Sequence, residues 1–357
     1  MPRICLNMIV KNEAPVIERC LASVRPWVDH WVIVDTGSTD GTQQRIREFM
    51  KEIPGTLHER PWRDFAFNRN QALDLARAEG DHIFFIDADE TLEVPQGFSW
   101  PQLGKQGYRL QCESAGWTYF RNALVSTALP WRWEGVLHEY LTCSEPHEWA
   151  NMPGPVIRVS HDGARARSAD TYQRDIEVLE RALRDEPGNT RYRFYLAQSF
   201  RDAGQLDKSR EHYLARAGMG GWDEECWFAV FQVAVIDERL GAEPGVVREG
   251  YLSAYQLRPT RAEPLCALAR YHRLRGEFAL AHLYAHQAAA IPMPADSLFV
   301  DAPVYAWRAL DELAVSAFYV PHAREQGRQA TKRLLEERKF PLSEQARIEG
   351  NRAFYGL

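Results

Sequence analysis

The sequence predicts two successive structural classes: an α/β domain with a mostly parallel sheet over residues 1–167, then an all-α domain over 168–357. Three observations carry this. Short apolar runs alternate with amphipathic stretches as far as Asp87. Acidic or amide residues stand just past several of those runs. Beyond about residue 168 only helical periodicity remains, punctuated by recurring glycines.

Ile4–Val10 reads as a short buried strand and Ala14–Val24 as a helix, with Val16, Ile17, Cys20, Leu21 and Val24 on one face. Trp31–Val34 is a second strand, ending at Asp35. The turn Thr36-Gly37-Ser38-Thr39-Asp40-Gly41-Thr42 leads into a helix at Gln43–Met50, which Ser38, Thr39 and Asp40 are expected to cap. Thr56–Glu59, the helix Phe67–Ala78 and the strand His82–Ile86 continue the alternation. Gly107–Leu110 and Trp117–Ser126 are further strands, richer in aromatics. Pro146, Pro153 and Pro155 break the pattern before a last strand at Val156–Val159. Ligands of parallel sheets gather at the C-terminal strand ends, so Asn12, Asp35 and Asp87 should converge on one crevice.

In the second part, Tyr172–Arg184, Thr190–Ala203, Leu206–Ala217, Asp223–Leu240, Gly245–Gln256, Ala262–Leu274 and Phe278–Ala290 read as helices. Gly204, Gly241 and Gly276 are spaced 37 and 35 residues apart, and Pro187, Pro259 and Pro292 punctuate the run. Paired helices at this period are the tetratricopeptide signature, best carried by Leu265, Leu268, Ala269, Gly276, Ala281, Ala288 and Pro292. The tail beyond 303 is expected to be helical capping material.

The chain has 357 residues, 45% hydrophobic and 26% charged, with a net charge of -6. Such a composition suits a globular protein with a sizeable core and disfavours a nucleic-acid binder. Six cysteines lack metal-ligand or disulfide-framework spacing and read as reduced thiols of a cytoplasmic protein. No signal peptide is expected, and no apolar stretch approaches the roughly 20 residues of a membrane span.

The chemistry concentrates in a few places. Phe84-Phe85-Ile86 ends in Asp87-Ala88-Asp89. Paired carboxylates at the lip of a buried strand need a cation, and a divalent metal carrying a diphosphate is the leading candidate. Asp35 also ends an apolar strand and suits a base or ribose donor group. Arg69, with Asn68 and Asn70 beside it, could bind a phosphate or pair with an aspartate. His138-Glu139 follows a short apolar pair, and Glu139 could serve as general base toward an acceptor hydroxyl or thiol. Trp131 and Trp133 could stack on a sugar ring, and His161 could be a third metal ligand.

Taken together, Asn7-Met8-Ile9-Val10-Lys11-Asn12-Glu13, Val34-Asp35-Thr36-Gly37-Ser38-Thr39-Asp40-Gly41-Thr42, Arg69-Asn70, Asp87-Ala88-Asp89-Glu90, His138-Glu139 and His161-Asp162-Gly163 resemble the family 2 glycosyltransferases of the Rossmann-like GT-A fold. The resemblance spans roughly residues 1–165. It extends to a bacterial subgroup in which tetratricopeptide-like repeats follow this domain. It implies that Val10, Asn12, Glu13 and Asp35 hold the nucleobase and ribose of a nucleotide-sugar, with UDP as the leading nucleotide. Asp87 would contact the ribose or metal, and Asp89 and His161 would ligate Mn²⁺ or Mg²⁺. Glu139, beside His138, would be the base of an inverting hexose transfer to a glycan, lipid-linked precursor, peptide side chain or modified nucleobase. Many relatives carry a second aspartate where this chain has Thr36, which leaves the nucleotide preference open. Two rival readings are a nucleotidyltransferase, whose Gly-rich basic N-terminal loop is missing here, and a repeat-based interaction scaffold with an inactive transferase domain. In the transferase reading the helical repeats orient the acceptor or bind a protein partner.

Overall fold

A computed structural model of the protein describes residues 2–114 and 117–357. The chain divides into two compact units, Met1–Pro187 and Gly188–Leu357. The sequence texture changes at about 168, but the first helix after that change, residues 171–185, packs with the N-terminal unit. Its Asp175 accepts a hydrogen bond from Arg165 at 2.5 Å.

The N-terminal unit runs β1 (Ile4–Val10), α1 (Ile17–Val24), β2 (His30–Asp35), α2 (Thr42–Phe49), β3 (Gly55–Glu59), α3 (Phe65–Ala76), β4 (His82–Phe85) and β5 (Glu90–Glu93). It continues with β6 (Gly107–Ser114), β7 (Trp117–Ser126), β8 (Arg132–Glu134), β9 (Tyr140–Thr142), β10 (Trp149–Val159), α4 (Ala164–Arg167) and α5 (Thr171–Asp185). Eight strands form one sheet in the order β3-β2-β1-β4-β7-β6-β10-β5, and β8 and β9 form a separate hairpin. β3, β2, β1 and β4 are mutually parallel, as the strand–helix alternation requires. β7 then enters antiparallel between β4 and β6.

β1 is buried on both faces. Ile4, Leu6, Met8 and Val10 pack with Ile17, Cys20, Leu21 and Val24 of α1 and Ile46 of α2. Cys5 packs on the opposite face with Leu73 and Ala76 of α3. Asn7 is tolerated there because its side-chain amide donates to the carbonyls of Val32 and Ala72, at 3.3 and 2.8 Å. One expectation needs correction. Pro146 precedes the last strand, but Pro153 and Pro155 lie inside it: β10 runs through Pro153-Gly154-Pro155, where its register with β6 shifts between Asn151 and Val156. A bulge leaves residues off the hydrogen-bond ladder, so prolines are tolerated. The short strands β5, β8 and β9 were not legible, since three or four residues carry too little periodicity.

The second unit is helical among its described elements: α6 (Thr190–Asp202), α7 (Leu206–Ala217), α8 (Asp223–Arg239), α9 (Pro244–Leu257), α10 (Glu263–Leu274), α11 (Phe278–Ala290), α12 (Ala309–Phe318), α13 (Arg324–Glu337) and α14 (Leu342–Asn351). Each helix from α6 to α9, and again from α10 to α13, packs on the next. The α6–α7, α8–α9 and α10–α11 turns are built alike. Gly204, Gly241 and Gly276 have φ of +75°, +72° and +75°. The following amides of Gln205, Ala242 and Glu277 reach back to the carbonyls of Phe200, Asp237 and His272 at 2.8–2.9 Å. This is the glycine-terminated helix end that reverses the chain and satisfies the last carbonyls. The sequence period is therefore a repeated physical device, and the helices resemble tetratricopeptide repeats. No helix among the described residues is long and apolar enough to cross a membrane.

Arg261 is the cation that locks this unit. It is fully buried, with its guanidinium 4.0 Å from the Trp227 ring centroid. It donates to Glu263 at 2.8 Å, to Asp296 at 3.2 Å and to the carbonyls of Leu298 and Phe299. Arg261→Ala would leave Glu263 buried without its cation. The expected loss is about 3–5 kcal/mol, read as a lower midpoint of urea-induced loss of helical circular dichroism.

Candidate active site

The parallel register sets the C-terminal ends of the strands side by side: Val10 pairs with Asp35, and Asn7 with Phe85. Asp35 is 1% exposed. Its Oδ1 accepts from the amides of Gly37 and Ser38 and from Gln43 Nε2, at 3.0, 2.9 and 3.0 Å. Its Oδ2 is buried without a hydrogen-bond partner among the described residues. A buried, orphaned carboxylate oxygen is costly unless a donor arrives.

The loops after β1 and β2 are tied together. The Asn12 amide donates to Ser38 Oγ, and Asn12 Oδ1 accepts from the Thr39 amide, both at 2.8 Å. Glu13 and Ala14 donate their amides to Thr42 Oγ1 and Asp40 Oδ2. Ser38 and Thr39 therefore brace the β1 loop instead of capping α2, whose N-cap is Gly41 with no side-chain cap. Only Asp40 also reaches the start of that helix, at the Thr42 amide. Thr36 is buried and donates its hydroxyl to the Val10 carbonyl at 3.1 Å.

Past β4 one of the paired carboxylates, Asp87, meets cations, but those cations are guanidiniums. Arg69 Nη2 donates to Asp87 Oδ1 at 2.7 Å, and Arg69 Nε donates to Glu139 Oε1 at 2.5 Å. Arg121, from β7, lies 3.7 Å from Asp87 Oδ2 and forks onto Glu90, with Nη1 2.7 Å from Oε1. Glu90 Oε2 accepts from the Asp87 amide at 3.0 Å. The result is an alternating chain, Glu139–Arg69–Asp87–Arg121–Glu90. Burial pushes the Asp87 carboxyl up, but Arg69 and Arg121 outweigh it and hold it below the usual carboxylate range. At Glu90, burial and the Asp87 charge outweigh Arg121 and raise the carboxyl.

The segment 161–167 closes over the other acid. Asp89 Oδ2 accepts the Gly163 amide at 3.2 Å, and both Glu13 carboxylate oxygens accept the Ala164 amide, at 3.1 and 3.0 Å. A Cβ on residue 163 would stand 2.9 Å from Asp89 Oδ2, so this close approach requires glycine. Arg19 forks onto Asp162, at 2.8 and 2.7 Å. His161 is exposed, with φ +54°, and its Nε2 lies 2.7 Å from Ser114 Oγ. The expected metal set is thus not gathered. Among the described residues no three His, Cys, Asp or Glu side chains form a group able to hold a metal ion. Asp87 is held by arginine and His161 faces Ser114. Asp89 Oδ1 accepts no hydrogen bond among the described residues, and a carboxylate oxygen of this kind suits a hard cation.

A cavity of about 500 Å³ opens beside Asp87 and Glu139, lined also by Arg69, Arg121, His138, Trp133 and Arg165. Glu139 is 12% exposed, and His138, at φ +51°, stands on the turn beside it. Phe120 and Tyr140 face this cavity and are exposed. Trp133 lies with its ring 5.0 Å from the Arg69 guanidinium. Trp131 is not part of the cavity. It is 1% exposed, donates its indole N–H to the Ser126 carbonyl and packs on His147 and Trp149. Its expected acceptor role is withdrawn, because its faces are covered by core. Asn70 uses its side-chain amide to clamp both backbone groups of Trp133, at 2.8 and 2.9 Å, which fixes β8. Sequence reasoning missed Arg121, Glu90 and Arg165. The third acid of Asp87-Ala88-Asp89-Glu90 was the available signal, since it required a further cation.

Residues 5–95 match a model of the family described as Glycosyl transferase family 2. The chain is 29% identical over 318 residues to a TPR repeat-containing protein of Synechococcus elongatus, covering 81% of this chain and 76% of that one. It is 25% identical over 222 residues to the SPbeta prophage-derived glycosyltransferase SunS of Bacillus subtilis, covering 59% of this chain and about half, 51%, of that protein. A crystal structure of MamA is similar at a TM-score of 0.38 with 15% identity, over 48% of this chain and 92% of MamA. The chain carries a family 2 glycosyltransferase domain at its N-terminus, followed by helices resembling tetratricopeptide repeats.

Glu13 gives the site a measurable pH signature. Burial pushes its carboxyl up to about 7, opposed by the Ala164 amide and reinforced by Asp89. The folded state thus holds this proton more tightly than the unfolded chain, so stability falls as pH rises from about 4.5 to about 7. Glu13→Gln removes this loss. Its stability relative to the parent should rise between pH 5 and pH 8 by on the order of 2 kcal/mol, read by chemical denaturation at the two pH values.

Proposed function

We propose that the protein transfers a hexose from a nucleotide-diphosphate sugar, with UDP the leading nucleotide, to an acceptor hydroxyl or thiol with inversion at the anomeric carbon. The observation that carries this reading is Glu139: a largely buried carboxylate in the cavity wall, oriented by Arg69 beside Asp87, in the same unit as residues 5–95, which match family 2. The orphaned Asp35 Oδ2 suits the ring N–H of a uracil-type base, and the Asn12–Ser38–Thr39 brace holds that subsite rigid.

In the reaction Glu139 accepts the acceptor's proton as the acceptor oxygen or sulfur attacks the anomeric carbon. The bond from that carbon to the diphosphate breaks, and the nucleoside diphosphate leaves with the electron pair. Arg69 keeps the base aimed at the cavity. Asp89 would hold Mn²⁺ or Mg²⁺ through its open oxygen, and His161 could join it by turning from Ser114. Such an ion supplies charge stabilisation for the departing diphosphate. The exposed Phe120 and Tyr140 faces, with Trp133, suit an acceptor or sugar ring. The helical unit, which in the scaffold alternative would be the working part, would orient the acceptor or a protein partner.

Two substitutions test the roles separately. Glu139→Gln should leave UDP affinity within about twofold while turnover falls about 10²–10⁴-fold. Asp89→Asn should weaken UDP binding in the presence of Mn²⁺ and abolish its metal dependence, measured by isothermal calorimetry. Binding of UDP that ignores Mn²⁺ in the parent would remove the metal from the account. No binding at all would favour the scaffold.

A further inference from the structure

We propose that Arg121 is a positioning residue for the reaction, acting through Asp87 and Arg69 on the base Glu139. This rests on the transferase reading above.

The argument begins with charge. Three carboxylates, of Glu139, Asp87 and Glu90, share two guanidiniums. Each arginine bridges two acids, so no acid can be satisfied independently of the others. Arg121 and Glu90 together grip Asp87 from two sides. The Glu90 carboxylate accepts the Asp87 amide at 3.0 Å, and the Arg121 guanidinium stands 3.7 Å from Asp87 Oδ2. Glu90 itself is 3% exposed and opens β5, whose backbone pairs with β10. Arg121 sits inside β7, paired with Leu110 of β6. The far end of the chain is therefore anchored in the sheet. The near end is not: Glu139 lies on the turn that opens β9, in the two-stranded hairpin outside the main sheet.

Removing Arg121 would leave one guanidinium for three acids. Arg69 would then be drawn toward Asp87 and Glu90, the denser side of negative charge, and away from Glu139. The base would lose its orientation without losing any atom of its own. A lysine cannot replace this fork, because a single ammonium cannot hold two Glu90 oxygens and face Asp87 together.

The test is a cycle on the full chain, with turnover of a nucleotide-sugar that the parent accepts as the readout and a thermal melt as control for folding. Arg121→Gln should lower kcat at least tenfold, and Arg121→Lys should recover only part of that loss. In a Glu139→Gln background the same Arg121→Gln change should alter kcat by less than twofold, because the residue it acts through is already disabled. A purely structural role would give equal losses in both backgrounds and would overturn the proposal. So would parental kcat in a folded Arg121→Gln protein. If Arg121→Gln fails to fold, Arg121→Lys, which keeps the charge but not the fork, replaces it, with a smaller loss of kcat expected in the parent and less than a twofold change in the Glu139→Gln background. A parent that turns over no nucleotide-sugar would instead bring down the transferase reading, and this inference with it.

Discussion

The N-terminal unit depends on one constraint: three carboxylates in the site must share two arginines. Glu139, Asp87 and Glu90 come from a turn before β9, the loop after β4 and the start of β5, while Arg69 and Arg121 come from α3 and β7. None of these segments could shift alone without stranding a half-buried charge, which costs several kcal/mol. The ion pairs add little net stability of this kind, but they fix geometry. They place Glu139, Asp87 and a cavity of about 500 Å³ in a single arrangement.

A second set of contacts organises the other side of the site. Glu13, on the loop after β1, and Asp89, after β4, each hold a backbone amide at the start of α4. Gly163 permits that approach, and the Arg19–Asp162 pair tethers the same segment to α1. Asp35 completes the set as a buried acid with one oxygen committed to its own turn and to Gln43, and one without a partner among the described residues. The site is thus built on strand ends and on short loops held by side-chain to backbone bonds.

Most of the architecture was legible in the sequence, for physical reasons. β1, β2 and β4 are continuous apolar runs because helices cover both faces of the parallel sheet. The helices of the second unit carry strong periodicity, and their glycine stops recur because each turn needs a left-handed residue. Illegible were the strands whose identity depends on partners far along the chain: β5, β8, β9 and the bulged β10. The site was half legible. Strand-end acids announce themselves by the cost of burying them. Which cation pays that cost does not, because Arg121 reaches Asp87 through a strand order, β4-β7-β6, that local sequence does not encode. Trp131 and Trp133 looked equivalent two residues apart, yet one lies in the core and the other faces the cavity, because Trp131 precedes β8 while Trp133 lies inside it, so strand alternation does not relate the two.

The most direct measurement is a crystal structure of the full chain with an intact nucleotide-sugar and Mn²⁺. The account expects the base of the nucleotide within hydrogen-bond reach of Asp35 Oδ2, the diphosphate beside Asp89, and the anomeric carbon facing a Glu139 still bridged by Arg69 to Asp87. A nucleotide lying away from these strand ends, or a Glu139 turned out of the cavity with Arg69 released, would contradict it.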